Sequence, residues 1–362
     1  MTEIKLYQEA VELLKLLVTT PSYSKEEDIT ADLIERFFHD RKIQTNRLLN
    51  NVWCVNRYFD NTKPSILLNS HHDTVKPDPN YTRNPFAPVI EDGKLYGLGS
   101  NDAGGCLVSL MAAFMYFYDR QDLKYNLILA ATAEEEISGS NGIERLLSLE
   151  NENSPFENKK MGFAIVGEPT GTNLAIAEKG LLVLDCICSG KAGHAAREEG
   201  VNAIYQAMKD IEWFAHFKFP KISEMLGEIK MSVTSIHTAN KAHNMVPSEC
   251  NFVVDVRVTD SYTHEEVLET IGKHVHCRIV ARSFRLRSSS IDKFHPVVQA
   301  GIKLGKKTYG SPTTSDGALM NLPVLKCGPG DSARSHTADE YIYLKEIEEG
   351  IETYIKLVEA VI

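Results

Sequence analysis

The sequence predicts an α/β protein in which helices flank a mainly parallel sheet, with a smaller α+β domain inserted into it. Short apolar runs alternate with amphipathic segments of helix length over residues 1–171 and again over 286–362. Apolar runs of this kind are typical of strands that a parallel sheet buries on both faces. Between residues 172 and 285 the order of segments changes, which indicates that a second domain interrupts the first.

The outer segments supply the elements of one discontinuous domain. An amphipathic helix is predicted over 5–19, and a capping-box pattern of Ser24 and Glu27 begins a second helix that ends near His39. The other elements are strands at 52–58, 65–69, 125–132, 161–166 and 323–327, a short extended segment at 94–96, and helices at 103–118, 139–150, 295–307 and 344–361.

The inserted segment, 172–285, has its own pattern. Strands are predicted at 174–178, 181–189, 229–236, 249–258 and 277–285, and helices at 200–216 and 263–275. From the second of these strands onward, the order strand-helix-strand-strand-helix-strand is typical of a small α+β sandwich. Cys186 and Cys188 would face one side of a strand, where we expect them to be small core residues.

Composition and charge argue against several classes of binding partner. The chain has 362 residues, a net charge of −10 and no long basic run, which argues against nucleic acid or an anionic membrane as a partner. Its seven cysteines include no Cys-x-x-Cys pair, and no apolar stretch reaches the roughly 18–20 residues of a membrane span. We therefore expect a reduced, cytoplasmic protein without a membrane partner.

Polar segments follow the predicted strands at five places. They are Ser70–Asp73, Gly97–Asp102, Thr132–Glu136, Val166–Thr170 and Ser335–Glu340. Ligands of open α/β sheets collect beyond the carboxyl ends of the strands, so these segments are expected to meet. Two histidines with several carboxylates and no cysteine form a ligand set that favours zinc, with cobalt or manganese as alternatives.

The five segments, their order and the insertion between the fourth and fifth resemble the di-zinc aminoacylase and carboxypeptidase superfamily. Within it, the acetylornithine deacetylase and succinyl-diaminopimelate desuccinylase branch is the most similar. The resemblance implies that one aspartate bridges two zinc ions about 3.5–4 Å apart, which share and acidify a water molecule. By position, the implied metal ligands are His71, Asp102 and Glu168 for the first zinc and Asp102, Glu136 and His336 for the second, with Asp73 orienting His71.

The run Glu134-Glu135-Glu136 leaves the register of the general base open. In the superfamily a glycine often stands six residues after the metal-binding glutamate, and Gly142 stands six residues after Glu136. This spacing favours Glu135 as the base that takes the proton of the water and delivers it to the departing amine. His72, next to the first ligand, is expected to point elsewhere.

The resemblance also implies a role for the inserted domain as a dimerisation and lid domain. The segment Ser189–Ala196 resembles the glycine-histidine loop of the superfamily. Its histidine, His194, would reach across the interface of a homodimer and stabilise the oxyanion of the tetrahedral intermediate. The alternative is a surface histidine in a turn of small residues.

Three further residues are candidate substrate contacts. Asn244 lies in an Asn-x-x-Pro segment, and Ser315 lies in a loop expected to line the substrate. Arg257 matches an arginine that binds the α-carboxylate of the substrate in a two-pronged pair. Its alternative role, a salt bridge with Asp255 or Asp260, stays open at this stage.

The Gly-Glu-Pro-Thr run around Glu168 resembles the form found in the deacetylase and desuccinylase branch, and the resemblance therefore implies a deacylase. The resemblance implies hydrolysis of an N-acyl-L-amino acid, first of all an N-acetylornithine-like one in arginine biosynthesis, with N-acetyl- or N-succinyl-citrulline or -ornithine as variants. A cation in the pocket would decide the acyl group, and the candidates are Lys76, Lys179 and Arg334. Alternatives are a succinyl-diaminopimelate desuccinylase, a di-zinc dipeptidase or, in another class, a non-catalytic metal-binding module.

Overall fold

Two units make up the chain in the computed structural model, which describes residues 3–147, 155–156, 159–197 and 199–362. The first unit comprises Met1–Ala177, Ser290–Tyr309 and Ser315–Ile362, and the second comprises Glu178–Ser289 and Gly310–Thr314. The sequence analysis begins the insertion at residue 172. In the structure the strand at 174–178 pairs with a strand of the first unit, which explains why residues up to 177 belong to that unit.

The bounds of the elements follow the chain. Before the insertion they are α1 (Glu3–Val18), α2 (Asp28–His39), β1 (Asn46–Leu48), β2 (Asn51–Val55), β3 (Ser65–His71), β4 (Val89–Glu91), β5 (Lys94–Tyr96), α3 (Gly105–Phe117), β6 (Asn126–Thr132), α4 (Ile143–Leu147), β7 (Met161–Val166) and β8 (Leu174–Glu178). The insertion has β9 (Gly180–Ser189), β10 (Gly193–His194), α5 (Ala203–His216), β11 (Lys230–His237), β12 (Met245–Val246), β13 (Glu249–Val258), α6 (His264–Gly272) and β14 (Arg278–Ala281). The last segment has β15 (Ser289–Ser290), α7 (Pro296–Lys303), β16 (Thr308–Ser311), β17 (Val324–Lys326), β18 (Tyr341–Tyr343) and α8 (Leu344–Glu359).

The main sheet of the first unit confirms the predicted α/β class. Seven of its strands lie in the order β1-β2-β6-β3-β7-β17-β8, and the central pairs β3–β6, β3–β7 and β7–β17 are parallel. Every residue of β3 and β6 is buried, as expected for strands covered on both faces. Helix α3 is apolar almost throughout and packs between α1, α8 and β3, so its burial stabilises the core.

Parallel pairing aligns the carboxyl ends of three strands. His71 at the end of β3 pairs with Thr132 at the end of β6, and Asn69 pairs with Val166 at the end of β7. The loops that follow these strands therefore begin side by side. This edge of the sheet is where the polar segments of the sequence meet.

The second unit is a four-stranded antiparallel sheet with helices α5 and α6. Its strand order is β11-β13-β9-β14, and α5 packs on β9, β11 and β13. Alternate residues of β9 are buried, among them Cys186 and Cys188, which confirms that they are core residues. All seven cysteines are free and buried.

The predicted capping box before α2 is wrong. The Ser24 hydroxyl donates to Asp73 at 2.7 Å, and the Glu27 carboxylate accepts from the backbone N–H of Lys25 and from the side chain of Asn50. Both side chains thus have partners other than the amides of the helix, which begins at Asp28 without a side-chain cap. Tertiary contacts outweigh the local pattern here.

The start of one predicted helix also differs. The helix expected over 139–150 is observed as α4, Ile143–Leu147, and the last three positions of the prediction lie outside the described residues.

Among the described residues, no helix combines the length and the apolar character needed to span a membrane.

Candidate metal centre

The loops beyond the sheet edge bring together two groups of candidate ligands that share Asp102. His71, Asp102 and Glu168 form one group, and Asp102, Glu136 and His336 form the other, with the ligand atoms of each group within 4.8 Å of one another. Asp102 Oδ1 lies 3.4 Å from His71 Nε2, and Asp102 Oδ2 lies 3.6 Å from His336 Nε2. Each carboxylate oxygen thus faces one imidazole, as in a carboxylate that bridges two cations.

Two contacts of the imidazole orient His71. Its Nδ1 lies 3.0 Å from the backbone oxygen of Asp73 and 3.4 Å from Asp73 Oδ1. With the Nδ1 proton directed at these oxygens, Nε2 is the nitrogen that faces Asp102, and it also lies 3.9 Å from Glu168 Oε1. The sequence analysis assigned the orienting role to the Asp73 carboxylate, whereas the backbone oxygen of the same residue is the nearer partner.

The three consecutive glutamates point in different directions. The Glu134 carboxylate accepts a hydrogen bond from Asn141 at 2.9 Å, while Glu136 belongs to the second ligand group. Glu135 Oε2 lies 3.9 Å from His71 Nε2, beside the first group. The structure therefore places Glu135 and Glu136 at the centre and Glu134 away from it.

Two glycines permit this turn. A Cβ atom at Gly139 would overlap the Glu134 carboxylate, and one at Gly142 would overlap the backbone oxygen of Ala133. Any larger residue would displace the start of the glutamate segment. The glycine at 142, used above to choose the register, is thus required for close packing of this loop.

The Asp73 carboxylate also holds the glutamate segment. Its Oδ1 accepts the backbone N–H of Glu135 at 3.1 Å, and its Oδ2 accepts that of Glu136 at 3.2 Å and the hydroxyl of Ser24 at 2.7 Å. Asp73 is fully buried, so these bonds satisfy a carboxylate that water does not reach. One side chain thereby sets both His71 and the segment that carries Glu135.

Glu340 plays the corresponding part for Asp102, and the sequence analysis assigned it no role. Its carboxylate accepts three backbone N–H groups, from Gly99 at 3.0 Å, Asn101 at 2.8 Å and Asp102 at 2.9 Å. The residue is 2% exposed. The signal in the sequence was an acidic residue four positions after His336, but the loop that it binds lies more than 200 residues away.

We expect Glu340→Gln to weaken metal binding about 10- to 100-fold. This range is typical for substitution of a residue that holds a metal ligand in position. The glutamine NH2 group would oppose one of the backbone N–H groups and release the loop that presents Asp102. Zinc affinity measured by competition with a chelator tests this. Asp339→Asn is the matched control, because Asp339 bonds to Thr82 and Arg83 and not to this loop. Equal affinity in Glu340→Gln and the control would contradict the assignment.

Burial of several acids at one place raises their pKa values. Burial raises the pKa of Glu168 to about 8 and that of Asp316 to about 6, and it holds the pKa of Glu135 well above its usual range. In each case the charges of neighbouring carboxylates add to the effect. Carboxylates this close together repel one another, and the binding of protons or cations relieves that repulsion.

The neighbouring carboxylates also shift the pKa of His336. Its hydrogen bond with Glu136, at 3.0 Å, and the nearby charges of Glu136 and Asp102 raise its pKa to about 9. The two groups offer imidazole nitrogens and carboxylate oxygens without a thiolate, and a central carboxylate has one oxygen toward each side. This donor set fits two divalent cations of the zinc, cobalt or manganese type.

We expect the metal-free protein to lose stability as the pH rises from 6 to 9. The folded-state pKa values of Glu168 (about 8) and His336 (about 9) lie above their ordinary values, so the unfolded chain releases these protons first and high pH favours unfolding. The fall in Tm should be on the order of 5 °C, mostly from Glu168, because solvent screens the half-exposed His336. Thermal unfolding with and without zinc tests this, and a Tm that rises with pH in the metal-free protein would contradict it.

The loop at 315–317 adds a buried acid that the sequence analysis did not assign. Asp316 is 3% exposed and its Oδ2 accepts the hydroxyl of Thr132 at 2.7 Å. Its charge contributes to the raised pKa of Glu135. Ser315, the predicted substrate contact, accepts the backbone N–H of Gly317 at 3.2 Å and is itself buried.

His72 is not a candidate ligand, as predicted. Its Nδ1 lies 2.9 Å from the hydroxyl of Thr30, and its Nε2 lies 2.9 Å from the backbone oxygen of Asn50. Both ring nitrogens are therefore engaged. Burial lowers the pKa of His72 to about 4, so the ring is neutral at pH 7.

Two predicted site residues lie next to each other in the second unit. His194 on β10 pairs with Met245 on β12, and the backbone oxygen of Asn244 accepts the N–H of Ala195 at 3.0 Å. The His194 ring is exposed, and its Nδ1 accepts the N–H of Ala196 at 3.2 Å.

Arg257 has the salt bridge that the sequence offered as one of its two roles. Its Nε and Nη2 donate to the two carboxylate oxygens of Asp255 at 2.8 and 2.9 Å, and its Nη1 donates to Thr314 at 3.2 Å. This pairing uses the forked edge of the guanidinium. Binding of a substrate carboxylate by Arg257 stays a prediction and would have to use its other N–H groups.

The three candidate cations have different surroundings. Lys179 donates to the backbone oxygen of Glu228, and Arg334 forms a bidentate ion pair with Glu346. Lys76 is exposed and makes no ion pair with a described residue. Of the three, Lys76 is the one whose charge is not already engaged.

Comparison with known proteins shows a similar fold and similar sequences over most of the chain. Residues 67–360 match the model described as Peptidase family M20/M25/M40. Among curated proteins, a succinyl-diaminopimelate desuccinylase of Orientia tsutsugamushi (strain Ikeda) is 25% identical, covering 93% of this chain and 92% of its own. An acetylornithine deacetylase of Buchnera aphidicola subsp. Schizaphis graminum is also 25% identical, covering 98% and 97%.

Solved structures show the fold. The M20 family metallo-carboxypeptidase Sso-CP2 from Sulfolobus solfataricus superimposes with a TM-score of 0.77 at 18% identity, covering 97% of this chain and 99% of its own. A tripeptidase from Staphylococcus aureus gives a TM-score of 0.76 at 19% identity, covering 98% of each chain.

Proposed function

The chain belongs to peptidase family M20/M25/M40, whose members are metal-dependent hydrolases, and on this premise we propose that it uses two zinc ions to hydrolyse the amide bond of an N-acyl-L-amino acid. The observation that carries the proposal is the position of Asp102, with one carboxylate oxygen toward each histidine. His71 and Glu168 would complete one site, and Glu136 and His336 the other. Cobalt or manganese could replace zinc in this donor set.

Glu135 is the proposed general base. When bound, the ions supply positive charge that acidifies a water molecule and polarises the scissile carbonyl. The Glu135 carboxylate, which lies beside the first ligand group, would take the proton of the water and then donate it to the amine nitrogen as the amide bond breaks. The backbone bond from Glu135 to Asp73 fixes the segment that carries this carboxylate.

We propose an N-acetylornithine-like substrate, and thus a place in arginine biosynthesis, with N-acetyl- or N-succinyl-citrulline or -ornithine as variants. The similarity to an acetylornithine deacetylase supports this choice. The similarity to succinyl-diaminopimelate desuccinylases supports the second candidate, a desuccinylase with the same metal centre. Arg257, Asn244 and Ser315 are the proposed substrate contacts, and exposed Lys76 is the candidate partner for a succinyl carboxylate.

Release of free amine by the zinc-loaded protein tests the proposed reaction. The panel contains N-acetylornithine, N-acetylcitrulline, their N-succinyl counterparts, N-succinyl-diaminopimelate and a neutral dipeptide. We expect one N-acyl amino acid to be hydrolysed much faster than the dipeptide. Hydrolysis of the dipeptide alone would favour a peptidase with the same centre. If the protein binds two zinc ions and releases no amine from any compound of the panel, a non-catalytic metal-binding protein would be favoured.

A homodimer through the second unit is the proposed assembly. Strand β11 lies at the edge of its sheet and exposes Ile236, and α5 exposes Tyr205 (64%) and Met208 (57%). An edge strand beside an apolar helix face suits a second copy of the chain, because strand pairing and apolar burial would act together. In such a dimer His194 would serve the site of the partner and stabilise the oxyanion.

We expect His194→Ala to lower kcat without changing the zinc content. Mixing it with Glu135→Gln subunits should restore activity to about a quarter of wild type, because half of the dimers are hybrids and each contains one complete site. Amine release after verified subunit exchange is the measurement. Hybrids as inactive as the two parents would contradict a histidine supplied by the partner.

A further inference from the structure

A cluster of side chains in the second unit has no part in the proposed reaction. We infer that Cys188, Asp210 and Cys277 form an additional metal site for a thiophilic divalent cation such as Zn²⁺. The three residues lie on β9, on α5 and immediately before β14, so the site would join both layers of this unit. This inference does not depend on the activity of the catalytic centre.

The positions of the ligand atoms suit a tetrahedral ion. The two sulfurs and a carboxylate oxygen of Asp210 lie within 4.8 Å of one another, and Cys188 Sγ is 3.7 Å from Asp210 Oδ2. Zinc–sulfur and zinc–oxygen bonds of about 2.3 and 2.0 Å at a tetrahedral angle separate sulfur from oxygen by roughly 3.5 Å. Little movement would be needed to bind the ion.

Strand register explains why the sulfurs converge. In the β9–β14 ladder Ile187 pairs with Arg278, and Cys188 and Cys277 stand one residue beyond that pair. Cys188 also pairs with Cys250 of β13 on its other side. Cys250 and Cys188 therefore lie side by side on adjacent strands, with Cys277 next in the row just before β14, and all three are buried.

Asp210 is the unusual member of this core. It is a carboxylate that is only 2% exposed, on helix α5. Its oxygens accept the backbone N–H groups of His276 at 3.1 Å and of Cys277 at 2.9 Å. These bonds fix the carboxylate beside Cys277, and its Oδ2 also lies 3.7 Å from Cys188 Sγ, so the ligand is already oriented.

His276 lies beside the Asp210 carboxylate. Its side chain is 86% exposed, and its Nδ1 lies 3.4 Å from Asp210 Oδ1. Burial, with the neighbouring Cys277 and Asp210, raises the pKa of the Cys188 thiol to about 12. Binding would displace protons from the two thiols, so affinity should increase with pH.

Cobalt spectroscopy can separate this site from the catalytic centre. The catalytic ligand groups contain no cysteine, so a thiolate-to-cobalt charge-transfer band in the near ultraviolet would report a cysteine site, which the variants below assign to this cluster. We expect the full chain, freed of metal and titrated with Co²⁺, to bind three equivalents and to show this band. Cys188→Ser and Cys277→Ser should each lose the band and the third equivalent and keep amine release within about twofold of wild type.

The controls address folding and specificity. Cys54→Ser alters a buried free cysteine of the first unit and should keep the band. Because a buried serine could impair folding, the titration of the unmodified chain is decisive in itself. Two equivalents of Co²⁺ without a thiolate band would overturn the inference, as would a band that persists in both cluster variants.

Discussion

The Glu135→Gln protein should bind two zinc ions and hydrolyse its substrate about 10²- to 10⁴-fold more slowly than wild type. Glutamine has nearly the same shape as glutamate, and it cannot take the proton of the attacking water. The metal ligands keep their positions, because the bond of the 135 backbone N–H to Asp73 does not involve the side chain. Zinc content and kcat, measured on one preparation, test both halves of this expectation.

Glu134→Gln is the matched control for that experiment. The Glu134 carboxylate bonds to Asn141 and lies away from the ligand groups, so kcat should stay within a few-fold of wild type. A near-normal rate in Glu135→Gln together with a large loss in Glu134→Gln would move the base by one residue. Loss of zinc from Glu135→Gln would mean that this carboxylate holds an ion.

Asp102→Asn should have the second large effect. An asparagine side chain has one acceptor oxygen and an NH2 group that donates, so it cannot serve both ligand groups at once. We expect at most one tightly bound zinc ion and a loss of at least ~10³-fold in kcat/KM, since a bound cation supplies several kcal/mol of charge stabilisation. Metal analysis after dialysis, combined with kinetics, is the measurement.

Asp316→Asn controls for the removal of a buried acid near the centre. Asp316 belongs to neither ligand group, and its nearest partner is the hydroxyl of Thr132. This variant should retain two zinc ions. Two ions retained by Asp102→Asn as well would show that Asp102 does not bridge them.

The fold class and the meeting of the polar segments could be predicted because their signals are local. A buried strand is an apolar run, and the candidate ligands His71 and Glu168 stand at or just after the ends of such runs. Parallel pairing then aligns the strand ends without further information. The spacing of residues along the chain is enough for this step.

The residues that hold the ligands in place could not be predicted in the same way. Glu340 accepts N–H groups of a loop 238–241 positions away, and Ser24 donates to Asp73 across 49 positions. Nothing local distinguishes such a glutamate or serine from one on the surface. The Ser24–Glu27 capping pattern failed for a related reason, because Ser24 bonds to the distant Asp73, and Glu27 bonds to Lys25, Asn50 and Glu134 and not to the N-cap amide.

Arg257 shows the opposite case. Its partner Asp255 stands two residues away on the same strand, so the sequence could offer the salt bridge as one of two roles. The structure contains that pair, and the predicted contact with a substrate carboxylate now requires that Arg257 bind through N–H groups outside the fork. Kinetics of Arg257→Lys, with KM and kcat separated, would measure that contact.

Two cations bridged by Asp102 are the central claim, and anomalous diffraction at the zinc edge from crystals of the zinc-loaded protein tests it most directly. We expect two peaks about 3.5–4 Å apart, one on each side of the Asp102 carboxylate. The first should lie between His71 and Glu168, and the second between Glu136 and His336. A single peak in the presence of excess zinc, or two peaks that do not share Asp102, would contradict the account.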